Sequence, residues 1–249
     1  MSNFKNYSKY YDLLYKDKNY EAESQYVVNK IKEYFPKAKQ IIDLGSGSGA
    51  HAKYFCKEGY SVIGIEKSEQ MLLLSKEKQI KGFKAFKGDI SNYNLSQKFD
   101  VAISLFHVIS YLNENDAVIN CFKTTYNQLN KNGIFIFDVW YTPAVYHQKP
   151  NTKIKRFSND QIDIVRISES RIITNKNLVE VDFQVLIIDK MTSKTEKIKE
   201  KHIMRHFSIP EIKILAELTG FEVLCVEEFL TGKSPSENTW GVCFLLKKI

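Results

Sequence analysis

The residues best placed to do chemistry begin in the stretch 41–51, IIDLGSGSGAH. An apolar run ends in Asp43, and Gly45, Gly47 and Gly49 then alternate with Ser46 and Ser48. Where a strand passes into a helix, glycines allow positive φ and close approach of a ligand, and the first helical amides are unpaired. Phosphate does not suit this loop, which holds no basic residue, lacks a Walker lysine and is preceded by an acid. The spacing also departs from the GxGxxG of dinucleotide folds. A ligand carrying an ammonium group suits Asp43. Glu66 ends SVIGIE, and a carboxylate at a strand tip can accept two hydrogen bonds from a ribose diol. Asp89, in Gly88-Asp89-Ile90, can hydrogen-bond an adenine amino group while Ile90 lies against the ring.

Alternating strand and helix signals would position these groups. KQIIDLG reads as a buried strand, and YSVIGIE, GFKAFKGD, FDVAISL and GIFIFDVW read as further strands. Helices are expected over 22–35, 48–58, 68–78 (capped by Ser68) and 114–130, the last followed by an Asn132-Gly133 turn. Short connections between such elements mean a parallel α/β sheet. Residues 151–206 break the pattern. QIDIVRISESRIITN, LVEVDFQVLIID and KTEKIKEKHIMRHFS alternate apolar and polar residues, as in an antiparallel sheet with one wet face. The α/β pattern then returns with a helix capped by Ser208, carrying Pro210 in its first turn and ended by Gly220, and with strands EVLCVEEF and WGVCFLLKKI. One α/β domain over 1–249 with a β insertion at 151–206 is expected.

The series Asp43-Leu44-Gly45-Ser46-Gly47-Ser48-Gly49, Glu66, Gly88-Asp89-Ile90 and Phe99-Asp100-Val101 resembles the class I S-adenosylmethionine-dependent methyltransferases. The resemblance covers nearly all of the α/β portion. It implies a Rossmann-like, seven-stranded sheet, parallel except for an antiparallel last strand. S-adenosylmethionine would lie at the carboxyl ends of the first strands and leave as S-adenosylhomocysteine. The implied cofactor-binding residues are Tyr11, Asp43, Gly45, Ser46, Gly47, Gly49, Glu66, Lys67, Met71, Gly88, Asp89, Ile90 and Leu105.

The N-terminal YSKYYDLLYKDKNYEAES resembles the lid of small-molecule methyltransferases, here residues 1–35, with Tyr11 on the methionine end and Tyr20 at the methyl-transfer site. Lid, SLFHVISYL, GIFIFDVWYTPAV and insertion together resemble the N-methyltransferases of nucleotide-linked (dTDP-type) amino sugars. Some members have a histidine as proposed base after the fourth strand, and Tyr111 aligns with it. His107, four residues earlier, would share its face on a helical turn. An amine must be neutral to attack, and a histidine has the better pKa for that task. The catalytic candidates are therefore His107, Tyr111 and, as orienting group, Tyr20. Trp140 and Tyr141 can stack on the substrate, and Arg166, Arg171 and Arg205 can hold its diphosphate. His202 and His206 read as packing or phosphate contacts rather than catalytic groups.

Composition sets bounds. The net charge of +7 fits either an anionic small substrate or a lysine-rich surface. Cys56, Cys121, Cys225 and Cys243 form no CxxC pair, so neither a zinc site nor a disulfide framework is favoured. No apolar run is long enough for a membrane span, and the start lacks a signal-peptide core, so a cytoplasmic protein is expected. Base-methylating enzymes of nucleic acid carry Asn-Pro-Pro-Tyr or Asp-Pro-Pro-Tyr after the fourth strand, where this chain has Ser104-Leu105-Phe106-His107. An RNA substrate is thereby disfavoured. O- or C-methylation of another small metabolite is the nearer alternative, and a homodimer is left open.

Overall fold

The computed structural model of the chain describes residues 10–249. Its main sheet runs β3 (Phe83–Lys87), β2 (Ser61–Glu66), β1 (Gln40–Leu44), β4 (Phe99–Ser104), β5 (Leu129–Tyr141), β11 (Gly241–Lys248), β10 (Phe221–Glu228). The first five are parallel, and β11 enters antiparallel between β5 and β10. Strands buried on both faces need continuous apolar runs, which is why β1, β4 and β5 carry so few polar residues.

Two cores form, one on each face. On one, α2 (Tyr20–Tyr34) and α3 (Ala52–Lys57) bring Val27, Val28, Ile31 and Phe55 onto Ile41, Val101 and Ile134. On the other, α5 (Asn115–Gln128) and α7 (Ile209–Thr219) bring Phe122, Ile212 and Ala216 onto Phe135 and Phe137. The Phe122 ring meets Phe135, Phe137 and Phe221 edge-on. Ser68 caps α4 (Glu69–Glu77) and Ser208 caps α7, each side chain accepting an amide three residues on, and Gly220 ends α7 at φ 87°.

After β5 the chain forms α6 (Thr142–Gln148) and then an antiparallel sheet: β6 (Lys153–Ser158), β7 (Ile162–Ile173), β8 (Leu178–Asp189) and β9 (Thr195–Phe207). β9 rejoins the main sheet parallel to the tip of β5, through Trp140↔His206 and Tyr141↔Phe207. The insertion is therefore an extension of the carboxyl edge of the core.

Three details differ from the sequence expectation. β6 adds a fourth strand; only Phe157 in it is even half-buried, so backbone pairing rather than an apolar stripe holds it. The helix expected from residue 48 begins at Ala52, because Gly47 and Gly49 have positive φ and keep the loop open. The Asn132-Gly133 turn is absorbed into β5 as an irregularity, with Asn132 at φ 62°. A Cβ on Gly133 would lie 2.9 Å from the Asn130 carbonyl.

At the N-terminal side, α1 (Tyr11–Leu14) brings Leu14, with Tyr10 ahead of it, onto Ile164, Val185, Ile187 and Ile198 of the insertion. The Tyr10 hydroxyl donates to Glu196 at 3.0 Å. Among the described residues, no helix is long and apolar enough to cross a membrane.

Candidate active site

The three loop glycines answer to different constraints. A Cβ on Gly45 would meet Val108 at 2.5 Å, and one on Gly49 would meet Phe83 at 2.7 Å. Gly47, at φ 54°, has nothing within 4 Å of that position, so it presents bare backbone to open space. The Gly45 amide donates to the Ile65 carbonyl at 2.8 Å and fastens the loop to β2. Glu66, at the tip of β2, accepts from the amides of Gly47 at 2.8 Å and Ser68 at 2.7 Å.

Asp43 is buried beside this loop, and among the described residues nothing hydrogen-bonds its carboxylate. Burial, with the charge of Glu66 added, pushes its pKa up to about 7. Burial also raises Glu66, more than its backbone amide donors lower it. The Ser46 hydroxyl is buried nearby without a partner. Two crowded carboxylates, an orphaned hydroxyl and an open glycine form a cradle for a cationic ligand with hydroxyl groups. S-adenosylmethionine, with its ammonium, sulfonium and ribose, fits that donor set.

The neighbouring positions frame the cradle. Asp89 accepts from Ser91 and from Lys67 at 2.8 Å; burial opposes these bonds, but they hold its carboxyl below the ordinary value. Met71 and Leu105 are buried, Ile90 packs on the core, and a Cβ on Gly88 would press on Ile65. Tyr11 begins α1, and its side chain lies outside the described residues.

His107 follows β4, and both it and Phe106 have left-handed backbones, at φ 59° and 65°. Consecutive non-glycine residues in that region are strained, and such strain concentrates at functional sites. His107 Nδ1 lies 2.6 Å from Oδ2 of Asp138, and its amide donates to both carboxylate oxygens at 3.2 Å. Asp138 is 1% exposed. Burial would raise its carboxyl, yet the charge and hydrogen bonds of His107 prevail and hold it low. Nε2 is the ring nitrogen left for exchange, on a side chain that is 24% exposed. Asp138 was not anticipated, although a lone acid inside the apolar run IFIFDVW is a signal that some partner must exist.

His107 and Tyr111 do not share a helical face. The segment Val108–Tyr111 is a single 3₁₀ turn entered through two left-handed residues. Tyr111 points instead to His202 on β9, with its hydroxyl 2.7 Å from Nδ1, and His202 Nε2 lies 3.2 Å from Glu200.

The other expected groups are dispersed. Trp140 meets His107 edge-on at 6.3 Å and Trp240 at 5.8 Å, while Tyr141 packs on the core. Tyr20 lies edge-on to His51, 4.9 Å away, beside the glycine loop. Arg166 is buried among the rings of Tyr15, Phe157 and Phe183. Arg171 is exposed and paired with Glu180. Arg205 is held by Glu211 at 2.6 Å and lines a separate cavity of about 450 Å³ between α5 and α7. A larger cavity, about 990 Å³, runs along α3 and is lined by lysines and tyrosines; none of Asp43, Glu66, His107 or Asp138 lines it.

Residues 41–133 match the model of a methyltransferase domain. The chain is 28% identical to a methyltransferase of Geobacillus sp. (strain WCH70), over 98% of this chain and 99% of the relative. It is 26% identical to the dTDP-3-amino-3,4,6-trideoxy-alpha-D-glucopyranose N,N-dimethyltransferase of Streptomyces venezuelae, over 70% and 74% of the two chains. Among solved structures, DesVI of Streptomyces venezuelae superposes with a TM-score of 0.83 at 20% identity, covering 98% of this chain and 99% of that one. Fold, domain match and relatives agree: residues 41–133 form a methyltransferase domain, the chain has the class I methyltransferase fold, and its activity class is S-adenosylmethionine-dependent methyl transfer.

Proposed function

We propose that the enzyme methylates the amine of a nucleotide-linked amino sugar. The observation that carries this reading is the His107–Asp138 pair, 2.6 Å apart beside the glycine loop. An amine arrives protonated at neutral pH and must be freed before it attacks. The activity of the Streptomyces venezuelae relative, N,N-dimethylation of a dTDP-amino sugar, supports the same substrate class.

Bound S-adenosylmethionine supplies an electrophilic methyl group, so the protein's work is alignment, water exclusion and proton handling. Alignment alone is worth ~7 kcal/mol or more. Asp43 would hold the ammonium, Glu66 the ribose hydroxyls, and Asp89 with Ile90 the adenine; Met71 and Leu105 close the walls. His107 Nε2 takes the amine proton, and the buried Asp138 charge stabilises the imidazolium and fixes the ring. Tyr20 and Trp140 bound the space around the nucleophile. Arg166, among aromatic rings on the insertion, is one contact for a diphosphate, with Arg171 and Arg205 as the others.

The same pair would also deprotonate a hydroxyl, so O-methylation of a small metabolite is the second reading. A turnover screen with methyl-labelled cofactor separates them. The acceptors are dTDP-3-amino-deoxysugars, their 3-hydroxy analogues and bulk RNA. Label on the amino sugars alone is the expected result. Label on the hydroxy analogues alone selects the second reading, and label on RNA alone overturns both.

A further inference from the structure

We infer that the groove along α3 is a second ligand site, separate from the cofactor cradle, which takes the polyphosphate of a nucleotide. The inference goes beyond the proposed reaction and rests on neither its acceptor nor the His107–Asp138 pair.

The groove holds about 990 Å³, at the upper end of the range for small-molecule sites. Three stretches of chain build it: the N-terminal segment with Lys16, α3 with Lys53 and Lys57, and the connection from α4 to β3 with Lys78 and Lys81. Among the described residues no carboxylate lines it. Asp17, Glu58 and Glu77 each neighbour one of these lysines in sequence, and all three lie outside the lining. Glu58 turns instead to Lys32, 2.8 Å away. Lysines elsewhere are neutralised: Lys30, Lys67, Lys87, Lys190 and Lys201 each reach a carboxylate. Among the described residues Lys16, Lys53, Lys57 and Lys81 reach none. A cleft lined by charge of one sign focuses its field on a ligand of the other.

Gathering these charges costs stability. Lys53 and Lys57 lie four apart on α3, a spacing at which like charges repel. Both ammonium groups nevertheless sit over the Tyr54 ring, 5.6 and 5.3 Å from its centre, which draws them to one place. A multiply charged anion relieves that repulsion. Tyr20, Tyr54 and Tyr60 add ring surface on which a base can stack, so a polyphosphate carrying a base matches both features. The five lysines line one recess, with room for a single nucleotide rather than a strand of nucleic acid. Cradle and groove are thus opposite in sign, acids in one and lysines in the other. They meet at the glycine loop: Gly49 and Ala50 line the groove, and Lys78 donates to the Ser48 hydroxyl at 2.8 Å.

The test is calorimetry with dTTP as probe and S-adenosylhomocysteine at saturation, so that the cofactor cradle is filled. Wild type is expected to bind dTTP, and less tightly as salt rises. The double variant Lys53→Gln/Lys57→Gln is expected to weaken dTTP about tenfold and to leave the affinity for S-adenosylhomocysteine unchanged. Lys81→Gln, from a different segment, is expected to weaken dTTP severalfold, and it decides the matter should the double variant fail to fold. Inorganic tripolyphosphate should compete with dTTP, and Tyr54→Ala should weaken dTTP more than tripolyphosphate. Wild type that binds no dTTP, or lysine variants that bind it as well as wild type, would overturn the inference. Binding of an oligothymidylate without binding of dTTP would overturn it too. Two sources share this chemistry, and dTDP-3-amino-3,6-dideoxyglucose distinguishes them. Displacement of that sugar by dTTP assigns the groove to the nucleotide half of the proposed substrate, and simultaneous binding of the two assigns it to a free nucleotide. Wild type that binds dTTP but not the amino sugar sinks the proposed substrate and leaves the groove standing.

Discussion

Asp43 and Asp138 are both buried carboxylates near strand tips, yet their acidities move in opposite directions, and their neighbours are the cause. Burial and Glu66 raise Asp43 to about 7, whereas Asp138 overcomes the same burial through His107. A carboxyl whose folded pKa exceeds its ordinary 3.8 keeps its proton longer in the folded state. The ligand-free protein therefore loses this stabilisation as pH rises from about 4 to about 7, and a bound cation restores it. The affinity for S-adenosylhomocysteine, which retains the ammonium, should climb between pH 5.5 and 7.5 by up to about tenfold per unit. Asp43→Asn should bind weakly with a flat profile; calorimetry across that range checks both. His107→Ala should lower kcat by about 10²–10⁴ and Asp138→Asn should move it the same way, with cofactor affinity kept. Single-turnover rates against pH are the measurement. The sequence signals Asp43 and Glu66 as acids at the ends of strand-like runs, and the structure sets both beside the glycine loop. Asp138 was not legible as the partner of His107, because the two lie far apart along the chain.

At the scale of the element, the glycine loop invites two substitutions with different signatures. Gly47→Ala places a side chain in a left-handed backbone, a strain of about 1–2 kcal/mol, and puts a methyl group into the cradle. Its melting temperature should fall by roughly 2–8 °C while cofactor affinity falls much further. Gly45→Ala carries the same strain and also drives a Cβ to 2.5 Å from Val108. That variant should melt lower than Gly47→Ala and lose turnover as well, since Val108 begins the turn that bears Tyr111. Calorimetric melting beside ligand titration distinguishes them. The elements themselves were largely legible. Ser68, Ser208 and Gly220 mark helix ends by local chemistry, and the central strands β1 and β4 are largely apolar because both their faces are covered. β6 and the late start of α3 were not, since edge pairing leaves little apolar pattern and positive φ at Gly47 and Gly49 is a property of the folded loop.

Across the whole molecule, the insertion and the N-terminal segment meet over the carboxyl edge of the sheet. Tyr10 and Leu14 pack on β7, β8 and β9, and the chain then turns back toward the cofactor loop. Glu23, 8% exposed on α2, fastens that return. One of its oxygens lies 2.7 Å from His51 Nε2, just after the glycine loop, and the other is bonded by Lys18. Lys18 also lies 3.9 Å from the centre of the Phe106 ring, one residue before His107. The N-terminal segment, the glycine loop and the turn that bears His107 are thus tied through one carboxylate. Burial would raise that carboxyl, but His51 and Lys18 hold it below its ordinary 4.5. The tie is then at full strength above about pH 4.5 and is lost as pH falls through the lowered folded value. Glu23→Gln removes the charge while keeping the shape. If the tie orders the segment, amides at 19–24 should exchange hydrogen faster in Glu23→Gln than in wild type at pH 7, while the core strands β1 and β4 keep their protection. S-adenosylhomocysteine should slow that exchange in wild type more than in the variant, because the loop proposed to hold it is the one His51 extends. Equal exchange at 19–24 in the two proteins would mean that apolar packing of α2 alone holds the segment, and that Glu23 plays no part in coupling it to the cofactor.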